Sequence, residues 1–223
     1  MEETNLTLFL SIAIPMLMTL LICKGRSRVS MLFVIIGMTV CLFSGEVNAL
    51  LYPLTGHEMR FFAVNVSPLI EEICKSVPLF LYAFILRPKQ QNVLQSAVSL
   101  GVGFAILENA AVLVRAEGTL TFSDVLFRSC GSGLVHAITA LWVGCGILFV
   151  YLNRKLFLSG SLALLTTAAI YHSIFNALID SRYAVFGLLL PILTLFPLAG
   201  LLLWRTVSQK KNRAGAISGN TKG

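Results

Sequence analysis

The sequence predicts an all-α, polytopic bundle of about seven membrane-spanning helices, with the N-terminus outside and the C-terminus inside. Three observations carry that expectation. Of the 223 residues, 57% are hydrophobic and only 12% charged, against about a quarter charged in soluble domains. The apolar residues fall into segments long enough to cross a bilayer, which takes about 20 residues each. The basic residues alternate in number between successive loops, as orientation in a membrane requires.

The spans are expected at 7–23, 29–51, 67–86, 96–115, 127–152, 159–180 and 183–204. The first follows an acidic start, Met1-Glu2-Glu3, without a basic region, and reads as an anchor rather than a cleaved leader. With the N-terminus outside, the inner segments carry Lys24, Arg26, Arg28, Arg87, Lys89, Arg154, Lys155, Arg205, Lys210, Lys211, Arg213 and Lys222, twelve in all. The outer segments carry four: Arg60, Arg115, Arg128 and Arg182. The net charge of +7 is thereby explained by orientation, without a nucleic-acid partner. A single domain over 1–205, with its informative core at 67–180, uses most of the chain. Residues 206–223 read as a short, basic, disordered cytoplasmic tail. The five cysteines lie in or beside apolar segments, form no C-x-x-C pair and read as small packing residues.

The second span ends in Ser44-Gly-Glu46-Val-Asn48, with Glu46 and Asn48 near its outer end. His57-Glu58 in the next loop lacks a second histidine at Phe61, so no H-E-x-x-H motif is formed. The third span, entered at Ser67-Pro68, holds Glu71, Glu72 and Lys75. Each carboxylate near mid-bilayer costs on the order of 3 kcal/mol, so the pair marks a functional site rather than a means of spanning. Glu71 and Lys75 stand four apart and can pair, and Pro78 is expected to kink the helix beside them.

The fourth span carries Glu108 and Asn109, and its Gly101-Val-Gly103 reads as a packing surface rather than a phosphate loop. The fifth carries Arg128 and, two turns deeper, His136, with Gly133, Ala137, Ala140 and Gly144 suited to close helix contact. The sixth carries His172 and Asn176 on one face. At 1.5 Å per residue, Glu71, Glu72, Glu108, His136 and His172 all fall about 6–14 Å below the outer boundary. Four helices of alternating direction thus converge on one polar cavity opening outward.

Such groups can deprotonate a water and hand its proton to a leaving amine. Two histidines and a carboxylate are also a ligand set for catalytic zinc, and the residues leave both routes open. For a metal, Glu72, Glu108, His136 and His172 are the candidates. His172 and Asn176 can donate to an oxyanion. A proton- or cation-coupled transporter also uses intramembrane Glu and His, but no inverted repeat is present. A non-catalytic scaffold is the third class.

Glu71-Glu72-x-x-Lys75, Phe104-x-x-x-Glu108-Asn109, Phe127-Arg128 followed by His136, and His172-x-x-x-Asn176 together resemble the PrsW family of intramembrane proteases. That family is related to the CAAX-protease and bacteriocin-processing superfamily. The resemblance implies an intramembrane endopeptidase in a bacterial inner membrane, multi-pass, with zinc or a metal-free glutamate mechanism. It implies Glu71 and Glu72 as the acid/base pair, with Glu108, His136 and His172 as further catalytic residues. Lys75, Asn109, Arg128 and Asn176 would support them. The implied substrate is a single-pass membrane protein cut near its extracytoplasmic boundary, such as an anti-sigma factor. In many superfamily members the second motif ends in histidine, where this chain has Glu108.

Overall fold

The structure is a computed structural model that describes residues 2–20, 22–116, 119–149, 153 and 155–196. The expected tail, 206–223, and the ends of the fifth and seventh expected spans lie outside the described residues. Seven helical rods follow in order, and no strand occurs among the described residues. They are α1 (Glu2–Leu20), α2 (Gly25–Thr55), α3 (59–86), α4 (Gln90–Arg115), α5 (Phe122–Ile147), α6 (Phe157–Ile179) and α7 (Ala184–Phe196). By length and composition, α2, α4, α5 and α6 suffice to cross a membrane.

Several ends differ from the sequence expectation. The rod α3 begins nine residues before Pro68, in what reads from sequence as an outer loop. Its regular part, Ser67–Leu81, is preceded by a π-helical stretch, Phe62–Val66, and followed by another, Tyr82–Leu86. The physical reason is Pro68, which has no N–H for the Val64 carbonyl. The wider turn, with the Ser67 N–H on the Phe62 carbonyl, accommodates this loss without ending the helix. Helix α2 runs past Pro53 and stops at Gly56, whose φ of 64° only glycine adopts cheaply. Helix α5 begins earlier than expected because Thr121 and Asp124 form a reciprocal capping box.

Consecutive rods from α2 to α6 pack antiparallel. Asn48 meets Ser67, Gly101 lies on the His136 carbonyl, Ser161 bonds the Gly146 carbonyl, and Glu72 meets His172 across α3 and α6. Helices α2 and α4 run parallel and nearly touch. A Cβ on Gly37 would lie 2.0 Å from the Leu100 carbonyl oxygen, and one on Gly103 2.0 Å from that of Val34. Gly101 and Gly103 therefore serve close packing, as the sequence suggests. Gly133 does not: nothing lies within 4 Å of its would-be Cβ. Beneath the polar residues Phe33, Leu79, Val93, Leu100, Val143 and Ile147 form a buried apolar floor. Apolar packing below and helix contact at the sides leave the polar groups facing one end of the bundle.

Candidate active site

Helix α3 places Glu71 and Glu72 on different sides of itself, because adjacent helical residues are about 100° apart. Glu72 and Lys75 turn inward and are wholly buried, with Lys75 Nζ 2.6 Å from Glu72 Oε1. The sequence expectation of a Glu71–Lys75 pair is thus replaced by an i, i+3 pair. Glu71 instead lines a cavity of about 1440 Å³, together with Glu108, Arg128, Ser132, His136, His172 and Asn176. The cavity extends to the exposed Arg60 and Asp180, which pair with each other where α3 begins and α6 ends.

With Lys75 as an ammonium and Glu72 as a carboxylate, the hydrogen bonds assign one tautomer to each imidazole. An ammonium has only donors, so Lys75 Nζ donates to His136 Nδ1 at 3.0 Å. The His136 proton then sits on Nε2, which donates to Glu108 Oε2 at 2.7 Å. Glu108 also accepts from Ser132 at 3.1 Å and from Arg128 at 3.4 Å. For His172 the order reverses. A carboxylate only accepts, so His172 Nδ1 donates to Glu72 Oε1 at 2.9 Å. The lone pair of His172 is left on Nε2, which stands 3.8 Å from Glu71 Oε2. The two rings meet edge to face with centroids 4.8 Å apart. Phe104 packs against the His136 ring and beneath Lys75 Nζ, holding water away from both.

Glu71 is held at its other oxygen. Asn48 donates to Ser67 Oγ at 2.7 Å, and Ser67 donates to Glu71 Oε1 at 2.8 Å. This leaves Glu71 Oε2 buried and without a partner. Asn48 therefore joins the site, and Glu46 lines the same cavity. Asn176 bonds the Ala63 carbonyl at 3.3 Å and ties α6 to the π-helical start of α3. Asn109 does not line the cavity, and its Oδ1 is buried without a partner. Ser67 and Ser132 are the contributors that sequence reading missed. Each stands four residues before a singled-out residue, Glu71 and His136, and that spacing was the available signal.

Glu71, His136 and His172 each offer a ligand atom within 4.8 Å of the others. Glu72 and Glu108, the carboxylates expected from sequence to ligate, each bind an imidazole, and Glu72 Oε2 is left buried without a partner. The unpartnered Glu71 Oε2 and the open His172 Nε2 suit a divalent cation, and two imidazoles with one carboxylate are the zinc donor set. His136 would exchange one of its two present partners to join them.

Residues 26–202 match the model of the PrsW family, described as intramembrane metalloproteases. No curated protein and no solved structure matches the chain. With most of its length matched, the chain belongs to the PrsW family of intramembrane proteases.

Proposed function

We propose that this family member hydrolyses a peptide bond of a single-pass membrane protein near its extracytoplasmic boundary, with Glu71 and His172 at the reacting water. The observation that carries this reading is that the open His172 Nε2 and the unpartnered Glu71 Oε2 face each other 3.8 Å apart on the cavity side of the buried Glu72–Lys75 pair. Glu72 is then the group that orients His172, by accepting its Nδ1 proton, rather than half of an acid/base pair.

A water beside Glu71 Oε2 gives its proton to the carboxylate as it attacks the scissile carbonyl, and Glu71 passes that proton to the leaving amine. Arg128 lines the cavity, and its Nε–H, buried without a partner, can donate where negative charge develops. In the alternative, metal-dependent route His172, Glu71 and His136 would hold a divalent ion, zinc by donor chemistry, and Glu71 Oε2 would then be a ligand in place of the base. Bound there, it supplies Lewis acidity to the water and the carbonyl. An extended substrate segment reaches the site along the cavity from the end marked by Arg60 and Asp180. The proposed setting is a bacterial inner membrane, and a membrane-anchored anti-sigma factor is the substrate class to try first.

The test uses the full chain in liposomes with a single-pass reporter. Chelation is expected to abolish cleavage, and zinc to restore it. Glu71→Gln and His172→Ala are expected to lose both cleavage and bound metal. Full cleavage by both variants would overturn the assignment of the site. Full cleavage by the metal-free wild type would overturn the metal alone.

A further inference from the structure

At the far end of the bundle from the catalytic cavity, the first turns of α2 and α4 enclose a second pocket of about 280 Å³. Its lining includes Arg26, Ser30, Asn92, Gln95 and Ser96, and no carboxylate. Because α2 and α4 are parallel, both helix N-termini come to this one place. Neither is capped: the N-cap residues Lys24 and Lys89 make no side-chain cap bond, and neither first turn holds an acidic residue. The positive ends of two helix dipoles thus share one pocket, lined by the first two residues of α2, Gly25 and Arg26, while the Asn92 N–H of α4 is bonded to the Lys89 carbonyl.

Helix ends alone would not define a site, but Ser96 supplies an independent sign. It is 1% exposed, lines the pocket, and its hydroxyl has no partner. A hydroxyl buried in a helix without even a backbone acceptor has its proton free for a bound group. Ser30 accepts from Gln95 Nε2 at 2.7 Å, so its own proton is also available for donation. Arg26 is exposed, makes no hydrogen bond or ion pair among the described residues, and adds a guanidinium on the rim. Every polar group except the Asn92 and Gln95 amide oxygens is therefore a donor or a cation.

We infer that this pocket binds a phosphate group, donated to by Ser96, Ser30, Arg26 and the N-terminus of α2. Two sources share that chemistry: the headgroup of an anionic phospholipid and a free phosphate. Basic pockets between membrane helices commonly take lipid headgroups. Ser96 and Glu108 are twelve residues apart on α4, about 18 Å along the helix, so the site is separate from the cavity and rests on neither cleavage nor a metal.

The test places the full chain in neutral phosphatidylcholine nanodiscs and follows thermal unfolding as phosphatidylglycerol or inorganic phosphate is added. Stabilisation by phosphatidylglycerol assigns a lipid site, and stabilisation by inorganic phosphate alone assigns a soluble ligand. In either case Arg26→Gln and Ser96→Val should each raise the midpoint concentration by about tenfold. Ser96→Ala does the same if valine proves too bulky, whereas Arg182→Gln at the opposite end should change nothing. The inference is overturned if neither additive stabilises the wild type. It is equally overturned if both Ser96 variants respond as the wild type does, since attraction would then be a general effect of basic charge.

Discussion

At the scale of single residues, the site is organised by what each side chain can donate or accept. Lys75 is the clearest case. Wholly buried, it neutralises Glu72 and sets the His136 tautomer at once. Removing one partner of a buried ion pair leaves the other charge uncompensated, so Lys75→Ala should cost about 3–5 kcal/mol of stability, read by thermal or denaturant unfolding in detergent. The double variant Lys75→Met/Glu72→Leu should regain much of that stability without regaining activity, because His172 then loses the acceptor that orients it. Glu71→Gln should behave differently. It keeps the Ser67 contact and the fold, but cleavage should fall by about 100-fold or more, the contribution of a general base. A Glu71→Gln protein of normal activity would remove Glu71 from the chemistry.

At the scale of elements, the helices are held at distances that only particular residues permit. On α4, a Cβ at Gly103 would overlap the Val34 carbonyl, and one at Gly101 would lie 2.2 Å from that of His136. Backbone cannot move aside as a side-chain tip can, so Gly103→Ala and Gly101→Ala should each cost about 1–3 kcal/mol. Gly101→Ala should also lower activity, since it displaces the helix that presents His136. Gly133→Ala meets open space and should leave stability unchanged or raise it by up to about 1 kcal/mol, because alanine favours a helix interior. Unfolding midpoints for the three variants check the contrast. The π-helical stretch before Pro68 belongs to this scale as well. It rotates the start of α3 so that the Ala63 carbonyl meets Asn176 and Ser67 reaches Glu71.

At the scale of the whole molecule, the antiparallel rods place the catalytic candidates at one end and the phosphate pocket at the other. The charge bias of the loops predicts which end is outside. In a cysteine-free background, Glu58→Cys should react with a membrane-impermeant maleimide added from the outer side, and Lys89→Cys only after the membrane is opened. The reverse pattern would invert the bundle and move the cleavage site to the inner boundary. Helix α1 lies before the family match at 26–202, yet Thr4 and Asn5 line the cavity.

By itself the sequence determined an all-helical membrane bundle and picked out the titratable residues that its apolar segments carry. Apolar length, loop charge and the cost of buried carboxylates are local properties, readable one segment at a time. So were Glu71, Glu72, Glu108, His136 and His172, because a titratable group inside an apolar run stands out against its neighbours. Only the tertiary structure decided what each of them faces. Helical spacing allowed Lys75 either Glu71 or Glu72, and packing against His136 and His172 selected Glu72. The same packing turned Glu71 to the cavity and left its second oxygen open. Hydrogen bonds between helices far apart in the chain depend on relative rotation and depth, which no single segment encodes.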